Sequence, residues 1–235
     1  MNKLILGLAL VSGSLAFAQE EPTAVSPINQ EKENITFGIK AGGNSSYFST
    51  QQLSAKNQKL GFNAGVFVNI PLSQKFAIQP EVVYNQFGAK SVLSSSEVTT
   101  GATTVNTQTD FSTTMNYISV PLMLHMKPAK NFYIEAGPEF SYYLNGKNKG
   151  ETTVKTTTTG SPATSVVSST EQDINKDAVN KFNLGLGLGL GYYFVPNLGI
   201  NVRYINSLTD MRNQKPEGTD PQNHRVFQLG LNYKF

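Results

Sequence analysis

The chain has 235 residues, no cysteine, 15% charged residues and a formal net charge of +3. Without cysteine there are no disulfides, no cysteine-held zinc, no thiol nucleophile and no lipid-modified cysteine, and so small and dispersed a positive charge excludes nucleic acid as a partner. Water-facing domains carry about a quarter charged residues, so part of this surface is expected to meet something other than water.

Residues 1–18 read as a secretory signal peptide: Lys3 begins it, Leu4 to Val11 form the apolar run, and Ala16-Phe17-Ala18 is a small-x-small cleavage site. Residues 19–33 are polar, contain Pro22 and Pro27, and are expected to form a flexible periplasmic lead-in. Beyond the first twenty residues no stretch approaches the about 18 consecutive apolar residues of a transmembrane helix. A membrane-spanning chain of this kind must cross with strands.

From Asn34 onward apolar residues recur at period two. The first strand carries Ile35, Phe37, Ile39 and Ala41 on one face; the second carries Phe62, Ala64, Val66, Val68 and Ile70. A third follows the tight turn at Pro71 with Phe76, Ile78, Val82 and Tyr84, and Pro80 within it predicts a bulge. Ile118 to Met126 and Phe132 to Tyr142 supply the next two, separated by the Pro128 turn. Then comes Phe182 to Phe194, in which Leu184, Leu186, Leu188 and Leu190 alternate with Gly185, Gly187, Gly189 and Gly191. A helix would scatter the two sets; a strand separates them onto opposite faces. Leu198 to Tyr204 and Phe227 to Phe235 complete about eight strands.

The connections alternate between tight turns near Pro71, Pro128 and Pro196 and long polar links around 49–59, 88–115, 145–180 and 207–224. Short turns at one end and long loops at the other are the pattern of outer-membrane barrels. Two of the long links are rich in Ser and Thr, with Gly101 and Gly160-Ser161-Pro162 as turn centres, and predict hairpins that prolong the wall beyond the membrane.

Alternation alone fits a secreted soluble ligand-binding barrel as well as a membrane barrel. The polar face discriminates: opposite the leucines stand Gly, Asn, Ser and Gln with few charges, which suits a packed interior better than a hydrated exterior. Aromatics form two bands, Phe37, Phe76, Tyr192 and Tyr233 toward the turns and Phe62, Tyr84, Tyr142, Phe182 and Phe227 toward the loops, as two membrane interfaces require. The expected fold is an all-β, eight-stranded antiparallel up-and-down transmembrane barrel over residues 34–235, in a Gram-negative outer membrane with both termini in the periplasm.

The final segment, Phe227-Gln-Leu-Gly-Leu-Asn-Tyr-Lys-Phe235, resembles the C-terminal strand signal read by the barrel assembly machinery, carried here by Leu229, Leu231, Tyr233 and Phe235. Gly65-Val-Phe-Val-Asn-Ile-Pro71, Gln79-Pro-Glu-Val-Val-Tyr84, Tyr117-Ile-Ser-Val-Pro-Leu122 and Ala136-Gly-Pro-Glu139 are similar to the porin-family, PorT-like barrels of Bacteroidetes within the outer-membrane β-barrel domain family. The resemblance covers about residues 34–235 and implies architecture rather than an activity. It implies outer-membrane lipid and the assembly machinery as partners, and an extracellular or secretion partner beside them.

The inward face carries Lys40, Glu81, His125, Glu135, Glu139, Arg203 and Lys234, which must pair if sealed in a narrow barrel. A structural polar network is the expected role; a gated path lined by Glu81, Glu139 and Arg203 is the functional alternative. An eight-stranded barrel is filled by its own side chains, so no open pore is expected. Phe67 is expected to fill the room left by the glycine row. His224 with Asp210, Asp220 and Ser207 matches no ordered catalytic motif and reads as a solvated loop histidine, and His125 with Glu135 or Glu139 lacks metal-ligand spacing. No enzyme activity, cofactor or metal is expected; the function classes are a structural or narrow-transport barrel, a surface-interaction or secretion-associated protein working through its loops, and, third, a secreted soluble ligand-binding barrel.

Overall fold

A computed structural model describes residues 34–54, 57–214 and 217–235; the expected leader and lead-in, 1–18 and 19–33, lie outside the described residues. The period-two segments form nine antiparallel strands: β1 (Thr36–Phe48), β2 (Lys59–Pro71), β3 (Phe76–Thr100), β4 (Thr103–Ala129), β5 (Phe132–Thr158), β6 (Thr164–Asp173), β7 (Phe182–Tyr193), β8 (Leu198–Ser207) and β9 (His224–Lys234). Eight of them close a ring in the order β4-β3-β2-β1-β9-β8-β7-β5, completed by pairing of β5 with β4. β6 stands outside the ring and pairs with the far half of β5, Lys147 to Thr156. Closure removes the open edges that hydrocarbon does not tolerate, and it meets the expectation of an eight-stranded up-and-down barrel.

The two faces are inverted relative to a water-soluble protein. Along β7 every leucine of the repeat is exposed and every glycine of the repeat is buried. Leu188 is 61% exposed while Arg203, on the neighbouring strand, is 1% exposed. Outward aromatics pair at the loop end of the wall, Phe62 with Tyr84, Tyr142 with Phe182 and Tyr204 with Phe227, at centroid distances of 5.5, 5.1 and 4.8 Å. Tyr233 and Phe235 pair in the same way at the turn end.

The Ser/Thr-rich links fold as the expected hairpins. β3 reaches Thr100, turns through Gly101 at φ 60°, and returns as β4; β5 reaches Thr158, turns through Gly160 at φ 83°, and returns as β6. Glycine is needed at both turns because L residues rarely adopt that left-handed backbone. The β2–β3 ladder stops at Asn63↔Asn85, so β3, β4, β5 and β6 continue alone as a four-stranded sheet projecting from one side of the mouth. Register shifts at Val92/Ser94 and Asn116/Tyr117 lie where the wall becomes this projection.

Pro80 corrects one expectation. It pairs with Leu122, and the register is the same on either side of it, so no bulge forms there. A missing amide hydrogen removes one donor from a ladder; only an extra residue shifts the register.

A charge on the lipid face tests the inverted arrangement. Leu188→Lys, in mid-strand, is expected to lower unfolding stability in phospholipid vesicles by about 2–4 kcal/mol, and Leu188→Phe by far less. Urea titrations monitored by tyrosine fluorescence measure both, and an inert Leu188→Lys would place β7 away from lipid.

Candidate functional site

The interior is layered, and its lowest layer is built on a glycine. Gly189 of β7 stands in register between Glu135 of β5 and Arg203 of β8. With no side chain between them, Arg203 reaches across: its Nε donates to Glu135 Oε1 at 2.6 Å and its Nη2 to Glu135 Oε2 at 3.0 Å. A Cβ at Gly189 would lie 2.6 Å from Glu135 Oε1 and 2.7 Å from the Val202 carbonyl oxygen. The Leu-Gly repeat therefore makes lipid contact on one face and room for an ion pair on the other.

Arg203 also crosses the barrel. β3 is four places from β8 around a ring of eight, and there Glu81 accepts Nη1 at 3.0 Å and Nη2 at 2.8 Å. Lys40 of β1 donates to Glu81 Oε2 at 2.8 Å, and Gln79 donates to Glu81 Oε1 at 3.0 Å. Lys40, Glu81, Glu135 and Arg203 are all buried, and their charges balance, two against two. Both carboxylates are engaged bidentately by one guanidinium, the geometry in which Arg is strongest.

His125 of β4 lies beside this group, Nε2 3.1 Å from Glu135 Oε2, at an angle that falls short of a hydrogen bond. Its ring stacks on Tyr133 at 4.4 Å and 8°, Tyr133 leans on Tyr193, and Lys234 Nζ sits 3.7 Å over the Tyr193 ring. Together with Lys127 and Lys130 these side chains line a cavity of about 240 Å³ at the turn end. Lys234 thus belongs to the mouth, not to the ion cluster.

Above the ions comes a layer of amides and hydroxyls. Ser119 and Ser141 Oγ lie 2.8 Å apart, Asn85 donates to Ser119, Gln228 donates to Asn85, and Ser141 donates to Glu139 Oε1 at 3.3 Å. Glu139 is buried, and its Oε2 has no hydrogen-bond partner among the described residues. Nearest the loop end, Phe48, Phe87, Tyr117, Tyr143 and Val226 pack with Met211 and Val179 into an apolar layer.

His224 lies in that apolar layer, not in a solvated loop. It is 1% exposed, opens β9, and holds Tyr117 Oη at 3.1 Å from Nε2, with the Phe48 and Phe87 rings at 5.5 and 5.7 Å. The missed signal was parity: the outward residues of β9 are odd-numbered from Phe227 on, so an even-numbered residue on the same strand points inward. Ser207 donates to Asn183 and Asp210 binds Arg212, so both are engaged away from His224, while Asp220 gives its backbone carbonyl to Arg212. Among the described residues no group of three metal-ligating side chains gathers, and both oxygens of Glu135 are occupied by Arg203.

Phe67 is also reassigned. Its ring covers Gly38, its own register partner on β1. The glycine row is filled from nearby wall: Tyr133 and Glu135 of the flanking β5 over Gly191 and Gly189, Ile205 of the flanking β8 beside Gly185, and Met123 of β4, two strands away, over Gly187. An aromatic covering the glycine directly opposite it needs to cross only one strand spacing, whereas the far wall is four strands away. Leu229, Leu231, Tyr233 and Phe235, the residues expected to form an assembly signal, all lie exposed on the outer face of β9 or just beyond it.

An exposed apolar belt, paired aromatics at both ends and a closed ring whose charge-balanced inner side chains are buried define an outer-membrane β-barrel. The chain belongs to the outer membrane protein beta-barrel domain family, whose sequence profile matches residues 17–213. Among solved structures, Ail, the attachment invasion locus protein of Yersinia pestis, crystallised with the heparin analogue sucrose octasulfate, is similar at 14% identity and TM-score 0.41, over 86% of this chain and 100% of that one. Neisserial surface protein A gives 13% identity and TM-score 0.41 over 86% and 100%. The N-terminal β-barrel domain of Pseudomonas aeruginosa OprF gives 12% and 0.35 over 84% and 97%. A comparison with curated proteins finds no match.

Two substitutions test the lowest layer. Arg203→Met leaves Glu81 and Glu135 buried without their shared partner and is expected to cost about 3–5 kcal/mol of unfolding free energy. Gly189→Ala should destabilise more than Gly187→Ala, because the added methyl of the first meets a backbone carbonyl and that of the second meets the movable tip of Met123, 2.7 Å away. Equilibrium urea unfolding in lipid vesicles ranks the three; equal losses for both alanines would remove the special role of Gly189.

Proposed function

We propose that this barrel is a surface-interaction protein, anchored by a closed wall and acting through the sheet that projects from its mouth. One observation carries the reading: β3, β4, β5 and β6 extend past the rest of the ring, and among the described residues no strand pairs with the outer edge of β6 or with that of β3 over 94–100. Unpaired edges and faces held clear of a membrane are surfaces on which another chain can add a strand or lay a face. The layered interior supports a rigid mount rather than a conduit.

A second reading rests on Glu139. Its oxygen without a partner stands between the ion layer and the hydroxyl layer, which supports a narrow gated path lined by Glu81, Glu139 and Arg203 that opens only when the cluster rearranges. No catalytic step is assigned. In this reading Leu229, Leu231, Tyr233 and Phe235 serve as the signal for the assembly machinery and residues 1–18 direct export, and the resemblance to PorT-like Bacteroidetes barrels supports a secretion-associated partner as the alternative to a cell surface.

Replacing 94–114 and 151–170 by short turns should abolish attachment of expressing cells to host or neighbouring cells. Heat-modifiable gel migration should stay unchanged, showing that the ring still closes. Attachment that persists in a variant with a closed ring would discard the surface reading.

A further inference from the structure

The projecting sheet has two unlike faces. Cross-strand rows follow from the register: Ser96, Thr107, Val154 and Val166 form one row, and Glu97, Asn106, Lys155 and Ser165 the next. Successive rows point to opposite faces. The face that continues the barrel's interior holds only Thr and Val along β4 from Thr103 to Thr109 and along β5 from Thr152 to Thr158. On β6 it holds Thr164, Val166, Ser168 and Thr170, and on β3 it runs from Ser94 to Thr100, all uncharged. Every charged side chain of the sheet, from Lys90 and Glu97 to Glu171 and Asp173, lies on the other face.

On the charged face six of the charges are paired with one another. Lys90 pairs with Asp110 at 3.0 Å, Lys149 with Glu151 at 2.6 Å, and Lys147 with Glu171 at 3.4 Å. On the neutral face two pairs of hydroxyls bond sideways, Thr103 with Thr158 at 3.0 Å and Thr109 with Thr152 at 3.3 Å between oxygens. Each pair uses one hydroxyl hydrogen within the sheet and leaves one free to bond a neutral polar partner such as another threonine hydroxyl. Val98 and Val166 on this face are 60% and 67% exposed. A single layer of β-branched residues with one charged and one neutral face is half of a two-sheet sandwich.

We infer that the occupant of the neutral face is the same face of a second copy, presented by a barrel in an apposed membrane; this rests on the surface-interaction reading and names its partner. Three arguments select a second copy. A neutral face carries no sign to be matched, so around a two-fold axis it is its own complement, and the charged reverse face limits the assembly to a closed pair. The neutral face is about 20 Å wide, from four strands, and about 25–30 Å long, so two copies cover roughly 1,000 Å² or more in total, the size a specific interface needs. The neutral face looks inward over its own barrel mouth, where a neighbour in the same membrane meets the charged face or an edge, and a barrel facing it from another membrane meets the neutral face.

Single barrels in lipid nanodiscs test this, since each disc hides the lipid-facing wall and leaves only the projection to associate. Sedimentation velocity of the full mature chain should show pairs of discs forming with concentration. Val154→Glu and Thr107→Lys, each on the neutral face, should weaken pairing at least tenfold, and mixing the two variants should restore it. Thr153→Lys, on the charged face beside Val154, should leave pairing unchanged. Heat-modifiable migration of each variant separates misfolding from lost pairing.

Discs that remain single, or pairing that survives charges on the neutral face, would overturn the inference. If discs stay single while loss of residues 94–114 and 151–170 still abolishes attachment to cells, the surface reading stands and only the second copy fails as its partner. If discs pair while that deletion leaves attachment intact, pairing stands and the attachment role falls.

Discussion

One guanidinium links opposite walls of this barrel. Arg203 is bound to Glu135 on one side and to Glu81 four strands away on the other, in an interior where an unpaired ion would be strongly unfavourable. That demand for pairing reaches back into the chain. It requires Lys40 to complete the charge balance at Glu81, and it requires Gly189 to have no side chain, so that Glu135 and Arg203 can meet over it. Hydroxyls and amides then grade from the ions to an aromatic layer at the loop end, and each layer narrows what could pass.

The same demand explains why the Leu-Gly repeat alternates so strictly. In a soluble protein the leucines would be the core and the glycines the concession; here hydrocarbon replaces the core, and the leucines need no protein partner. Along β7 the small residues face inward and the large ones outward, and the room they leave is taken by large side chains of other strands. Aromatic pairs such as Tyr142–Phe182 and Tyr233–Phe235 then locate the wall at its two interfaces. The projecting sheet escapes this logic, because water lies on both of its faces, and its charges gather on one of them by choice of sequence rather than by need of the bilayer.

Much of this was legible in the sequence, because a period of two assigns each residue to a face before any contact is known. The ring of eight, the outward leucines, the inward Lys40, Glu81, Glu135 and Arg203 and the long hairpins all follow from alternation and turn chemistry. Pairing was not legible. Which carboxylates Arg203 would bind depends on ring closure and register, which bring β3 and β8 to opposite walls, and no local spacing carries that information. The same gap left Lys234 assigned to the cluster when it sits over Tyr193, and sent Phe67 across the barrel when the nearer glycine was its own register partner. His224 was missed for a different reason: a long polar loop ends one residue before it, and parity was not extended to the first residue of β9. Only the register between strands reveals that the charges of the projection all share one face.

The most direct measurement of the central claim, that the layered interior closes the barrel, is a planar-bilayer recording of the purified, folded, full-length mature chain. A closed interior held by Arg203 predicts no stable, large conductance at moderate voltage and physiological salt. A steady open channel of large conductance in the wild-type protein would contradict it.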